Sequence, residues 1–194
     1  MKLYISPASP FARKCSIIAR ETGIAANIVE VTLAPLDNPQ ELLAANPICQ
    51  VPTLLLEDGR AIINSPLICE YLNQNSQCPI NSSFDAKRLE SFSDGIMEMA
   101  VKIAFERRRQ RDLQSNYWIG RWKDNIIRGL ESVEREFKDS FEGTLNTGQV
   151  ALVCALSYIE FRHNETEWKQ YHNDLLALQT KLEARQSFKE TAPK

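Results

Sequence analysis

KLYISPASPFARK, residues 2–14, is the stretch on which the reading of the fold turns. Residues 2–5 have the composition of a short strand. Ser9 followed by Pro10 is the pairing expected at a helix start. The serine oxygen accepts from a first-turn amide, and proline has no amide hydrogen to leave orphaned there. Apolar residues then recur at helical spacing over 11–22, and Gly23 supplies the stop. The chain therefore begins as strand, Ser-Pro turn and helix. Working outward, residues 27–32 read as a second strand. Residues 53–56 and 61–63 flank Asp58-Gly59, a strong hairpin signal, and 66–73 read as a closing helix. The order is β-α-β-(α)-β-β-α.

Beyond Asn75 the sequence SQCPINSSFD is rich in Ser, Asn and Pro and reads as a linker. The expected division is 1–76, a linker at 77–85, and 86–194. No convincing strand follows Ala86. Helical periodicity covers 86–110, 115–138, 149–163 and 172–185. Asn146-Thr147-Gly148-Gln149 carries a capping-box pattern, with an acceptor at the cap and Gln three residues on. It opens the most apolar of these helices, which should be the buried one. The fold class is thus α+β, a small mixed half followed by an all-helical half.

Composition narrows the function. Hydrophobic residues make up 43% and charged residues 25%, enough apolar material for a true core. The net charge of -2 supplies no basic field for nucleic acid or anionic membrane. MKLYISPASPF has no apolar leader segment, and the longest uncharged apolar run, 150–156, is too short to span a bilayer. The five cysteines, at 15, 49, 69, 78 and 154, form no Cys-x-x-Cys pair. Their scatter and odd number favour reduced thiols in a cytoplasmic setting. With two histidines, His163 and His172, a metal site is not expected.

Three short segments could carry chemistry. Ser9-Pro10-Phe11 opens a helix directly after a strand. As a plain cap it needs no further role. The same geometry also offers free amides, partial positive charge and a hydroxyl donor to an anion such as a thiolate. Asn64-Ser65-Pro66 is a second Ser-Pro helix start, suited to a carboxylate. In Gln50-Val51-Pro52-Thr53 the X-Pro bond defaults to trans. A cis bond would turn the Val51 amide and carbonyl outward, free to pair with a peptide.

In this order and spacing the segments resemble the glutathione S-transferase superfamily, and bacterial members in particular. The resemblance runs through the SPF loop, Asn46-Pro47, Val51-Pro52, NSPLICEYL at 64–72 and the helix that ends YIEFR at Arg162. It implies a thioredoxin-like first domain, with an all-helical second domain that carries the second-substrate pocket, and a homodimer with Asp94 and Glu98 near its interface. It implies a cis bond before Pro52, the Val51 backbone pairing glutathione's cysteine, and Asn64 and Ser65 holding the γ-glutamyl end. Phe11 and Gln50 join the binding set, and Ser9 is the residue that activates the thiol. The activity implied is addition of glutathione thiolate to a small electrophile, with glutathione a co-substrate and no permanent cofactor. A glutathione-dependent isomerase, peroxidase or dehalogenase, or a non-enzymatic glutathione-binding scaffold, is the alternative. Relatives often carry Glu, Gln or Asp at the position of Asn64 and Lys at that of Gln50.

Three other features have simpler readings. Cys15 suits the core. Cys49, beside the expected groove, reads as a spectator. Arg107, Arg108, Arg109 and Arg111 suit the negative end of a helix. Alternatively, one or two of these arginines select anionic electrophiles.

Overall fold

The computed structural model describes residues 1–194, and the chain divides into two compact units, Met1–Ser82 with Arg185–Lys194, and Ser83–Ala184. The first holds a four-stranded mixed sheet. Strands β1 (Lys2–Ile5), β2 (Val29–Thr32), β3 (Thr53–Leu55) and β4 (Ala61–Ile63) lie in the order β2-β1-β3-β4. β1 is parallel to β2 and antiparallel to β3, and β3 is antiparallel to β4. Helix α1 (Pro10–Glu21) packs on α3 (Ser65–Gln74), and a short helix α2 (Gln40–Ala45) precedes β3. Leu3, Ile17, Ile18, Leu42, Leu54, Ile68 and Leu72 are wholly buried and make the core of this unit.

The second expected strand starts two residues late. Gly23 takes a left-handed conformation (φ 75°), so α1 ends in a 3-10 turn, Ile24–Asn27, instead of running on into strand. Residues 185–194 also sit differently from the expected division. Helix α8 (Gln186–Glu190) buries Phe188 and is tied to α1. Arg185 pairs with Glu21 at 2.5 Å, Arg20 with Glu190 at 3.3 Å, and the Arg13 Nη2 donates to the Phe188 carbonyl at 3.3 Å. Periodicity marks such a segment as helical but does not say what it packs against.

The second unit is helical throughout: α4 (Phe84–Glu106), α5 (Asn116–Phe137), α6 (Thr147–Arg162) and α7 (Asn173–Glu183). The Asn146 capping box forms, with Gln149 N–H donating to Asn146 Oδ1 at 2.9 Å and Asn146 N–H to Gln149 Oε1 at 3.2 Å. Residues 147–159 of α6 are all buried, the packing its apolar composition requires. At Gly148 an added Cβ would lie 2.5 Å from the Ala86 carbonyl oxygen and 2.7 Å from the Leu89 Cβ, so glycine lets α6 approach α4. Helix α4 stops at Glu106, four residues earlier than its periodicity suggests. The Arg108 and Arg109 amides shift to carbonyls three residues back, and the Glu106 carboxylate accepts from Ser115 N–H at 2.7 Å, which turns the chain. No helix is long and apolar enough to cross a membrane.

Candidate active site

The strand registers decide which residues meet. Tyr4 pairs with Thr53, and Thr53 with Ile63. The loop leaving β1, the residues entering β3 and the residues leaving β4 therefore lie at one edge of the sheet. That edge collects Ser9 with Phe11, Gln50 to Pro52, and Asn64 with Ser65, which the sequence places up to 56 positions apart. A sulfur contact ties two of these segments more closely: Cys15 Sγ lies 3.7 Å from the Ser65 carbonyl and 3.7 Å from Cys69 Sγ. Both thiols are buried, so they pack α1 against the start of α3.

Ser9 caps α1. Its Oγ accepts from Ala12 N–H at 3.2 Å, and its own amide donates to the Ser6 carbonyl at 2.9 Å. A hydroxyl has one hydrogen to give and more than one lone pair. The cap uses a lone pair, so the hydrogen stays available to an acceptor outside the helix. Pro10 leaves the Phe11 amide as the other unbonded donor of the first turn. Arg13, 6% exposed, directs its guanidinium to Phe188 of α8, and its Nε and Nη1 have no partner.

The Val51-Pro52 bond is cis, and neither the Val51 amide nor its carbonyl bonds to another residue. The loop before it is braced by Asn46, which is 2% exposed. Its Nδ2 donates to the Gln50 carbonyl at 3.1 Å and to Thr53 Oγ1 at 3.0 Å, while its Oδ1 accepts from Ile48 N–H at 3.1 Å. The sequence marks Asn46 only as part of a motif; its work in holding the loop shows once the fold is in hand. The Gln50 side chain is exposed. Cys49, half-buried with φ 56°, directs its thiol to the Pro35 carbonyl at 3.4 Å.

Asn64 adopts φ 77° and ψ 118°, a conformation rare outside glycine that costs on the order of 1–3 kcal/mol. It turns the chain from β4 into α3, and its side chain makes no cap bond. Ser65 is 4% exposed, yet its hydroxyl has no partner within the protein. With Pro66 next, the Ser65 and Leu67 amides are the unbonded donors of α3. The edge thus offers two helix N-termini, each with a serine hydroxyl, and between them one open peptide unit. It suits an extended, anionic peptide. By contrast, the open groove of about 500 Å³ along α1 and α8 is lined by Arg20, Glu21, Arg185 and Glu190, whose charges pair with one another. No cluster of His, Cys, Asp and Glu could hold a metal ion.

Fold and edge geometry together define a glutathione transferase-type protein, and the comparisons agree. Residues 8–75 match the family model described as glutathione S-transferase, N-terminal domain. The GST-like protein YibF of Escherichia coli K12 is 31% identical over 201 residues, covering 100% of this chain and 98% of its own. The chain belongs to the glutathione S-transferase superfamily. Its fold matches a glutathione transferase family member from Pseudomonas fluorescens Pf-5, solved with glutathione (29% identity, 100% of this chain and 98% of that one, TM-score 0.91). The same protein was solved with S-(propanoic acid)-glutathione (28%, 100% of each chain, TM-score 0.89). It also matches the glutathione S-transferase of Methylobacillus flagellatus KT with glutathione bound (28%, 100% and 99%, TM-score 0.91).

Proposed function

We propose that the protein is a glutathione transferase that joins glutathione, through its sulfur, to a small electrophile. The observation that carries this reading is the convergence at one sheet edge of the Ser9 hydroxyl, the unpaired Val51 peptide unit and the unpaired Ser65 hydroxyl. Glutathione would lie extended along that edge. Its cysteine would pair with Val51 as an added strand does, and its γ-glutamyl carboxylate would take the Ser65 hydroxyl and the α3 amides. Asn64 would accept from the ligand's ammonium, Gln50 would meet the glycine carboxylate, and Phe11 would flank the sulfur. Ser9 would donate its free hydrogen to the thiolate. Serine also favours conjugation over disulfide exchange, because a hydroxyl cannot enter a mixed disulfide. The glutathione-bound complexes of the Pseudomonas and Methylobacillus proteins support the choice of ligand.

In the reaction the thiolate attacks the electrophile. A carbon–sulfur bond forms while a leaving group departs with its electron pair or a neighbouring atom takes a proton. Glutathione is consumed as co-substrate, and no metal or permanent cofactor has a role. The helical unit would hold the electrophile. We further infer a homodimer in the cytoplasm, where the five thiols stay reduced. The test is to incubate the protein with glutathione and a panel of aryl halides, unsaturated carbonyls and hydroperoxides, and to identify products by mass. Thioether adducts are expected. Turnover of hydroperoxides alone, or isomerised or dehalogenated products without a thioether, would replace this reading with the corresponding glutathione-dependent enzyme. Glutathione binding with no turnover at all would leave a binding protein.

A further inference from the structure

The four arginines at the end of α4 do not behave alike. Arg107 is bound to Glu165 and donates from Nη1 to His163 Nδ1 at 3.1 Å, and Arg109 pairs with Glu106 at 3.1 Å. Arg108 has no carboxylate partner; its guanidinium lies 5.3 Å over the ring of Phe105, which is 48% exposed. A second arginine shares this arrangement. Arg162, at the end of α6, has no carboxylate partner and lies 4.2 Å over the ring of Phe161, which is 38% exposed.

These two arginines stand at neighbouring helix ends, because α4 and α6 run side by side in one direction. Gly148 sits against Ala86 and Leu89 near their starts, and His163 Nε2–H donates to the Ala100 carbonyl at 2.8 Å near their ends. One helical turn before Arg162 on α6 stands Tyr158, 6% exposed. Burial raises the pKa of its hydroxyl, while Arg162 and Arg108 pull it down, so both guanidinium groups act on the same phenol. The phenol therefore keeps its hydrogen at neutral pH and serves as a donor. A guanidinium that lies over a ring and has no carboxylate partner keeps N–H donors for an anion, and its fork can take a carboxylate in two parallel bonds.

We propose that Arg108, Arg162 and the Tyr158 hydroxyl form a site for small organic anions, a carboxylate or sulfonate carried on an aryl or alkyl body that rests on Phe105 and Phe161. As an anion site this stands on the geometry above. As the electrophile's site it rests on the transferase reading, and it then makes anionic electrophiles the substrate class.

The test uses the full chain without glutathione. Calorimetric titration with 4-nitrobenzoate and with neutral 4-nitrobenzamide compares the wild type with Arg108→Gln, Arg162→Gln and Arg111→Gln, the last an exposed arginine with no ion pair. Wild type should bind the carboxylate at least tenfold more tightly than the amide. Arg108→Gln and Arg162→Gln should each weaken it about tenfold, about 1.4 kcal/mol, and leave amide binding unchanged. Arg111→Gln should have no effect. Equal affinity for the two probes, equal losses on both probes, or the same loss in Arg111→Gln would overturn the proposal. Circular dichroism checks that each variant is folded. Glutathione titration of the same proteins keeps the two readings apart. If glutathione fails to bind while the carboxylate preference stands, the transferase reading falls and the anion site remains.

Discussion

Replacing Ser9 by alanine removes two things at once, and the structure lets them be weighed separately. The Oγ that accepts from Ala12 N–H at 3.2 Å is lost, which should cost roughly 1 kcal/mol of stability as an N-cap. The hydroxyl hydrogen, unused within the protein, is also lost. A hydrogen bond to a charged group contributes roughly 1.5–3 kcal/mol, equivalent to about one to two pKa units at about 1.4 kcal/mol each. The α1 amides stay in the variant, so only the hydroxyl's share disappears. A free thiol titrates near pH 8.5, and a few per cent is thiolate at pH 7. Restoring that state should slow conjugation roughly ten- to thirtyfold near pH 7. The two proteins should converge above about pH 9, where either thiol is ionised. The assay is the pH–rate profile of both proteins with one reactive electrophile at saturating glutathione, after folding is checked by circular dichroism. Identical apparent pKa values and rates would make Ser9 a helix cap only. A loss beyond about a hundredfold with an unmoved pKa would assign it to positioning the sulfur.

Two further outcomes follow from the helical unit. Gly148→Ala should destabilise the protein by roughly 1–3 kcal/mol in denaturant melts, because the Ala86 carbonyl at 2.5 Å is backbone and cannot swing aside; an unchanged midpoint would mean that α4 and α6 are not in that contact. Burial, with Arg107 beside the ring, holds the His163 pKa below its ordinary 6.5, so the unfolded chain takes the proton more readily. Stability from this group is present above pH 6.5 and is lost as pH falls, and His163→Gln should flatten that part of a stability–pH curve. Glu165, desolvated but held by Arg107 and Lys123, titrates at about 2, so its share is lost only as pH falls below about 4.5 towards 2. Equal slopes for wild type and His163→Gln would assign the pH dependence elsewhere.

What could be read in the sequence was local chemistry. The Ser9-Pro10 start, the Asp58-Gly59 hairpin and the Asn146–Gln149 box each depend on a few neighbouring residues, and each appears at its expected place. What could not be read depends on distant partners. The isomer at Pro52 is a tertiary choice: the residues alone favour trans, the family resemblance implies cis, and the bond is cis. The work of Asn46 rests on bonds to Gln50 and Thr53 across a loop. Likewise, the packing of 185–194 on α1 is fixed by Phe188 and by ion pairs over 160 residues apart in sequence. The arginine cluster shows the same limit most sharply. Sequence counts four like charges, whereas the fold pairs Arg107 and Arg109 with carboxylates and leaves Arg108 over the ring of Phe105.

The central claim is that glutathione binds at the sheet edge, and calorimetric titration tests it most directly. The account predicts about one glutathione per 22.1 kDa chain. It also predicts affinity reduced about tenfold in Ser65→Ala, the loss of one charge-assisted hydrogen bond. No binding to the wild type at millimolar glutathione, or binding untouched by Ser65→Ala, would contradict it.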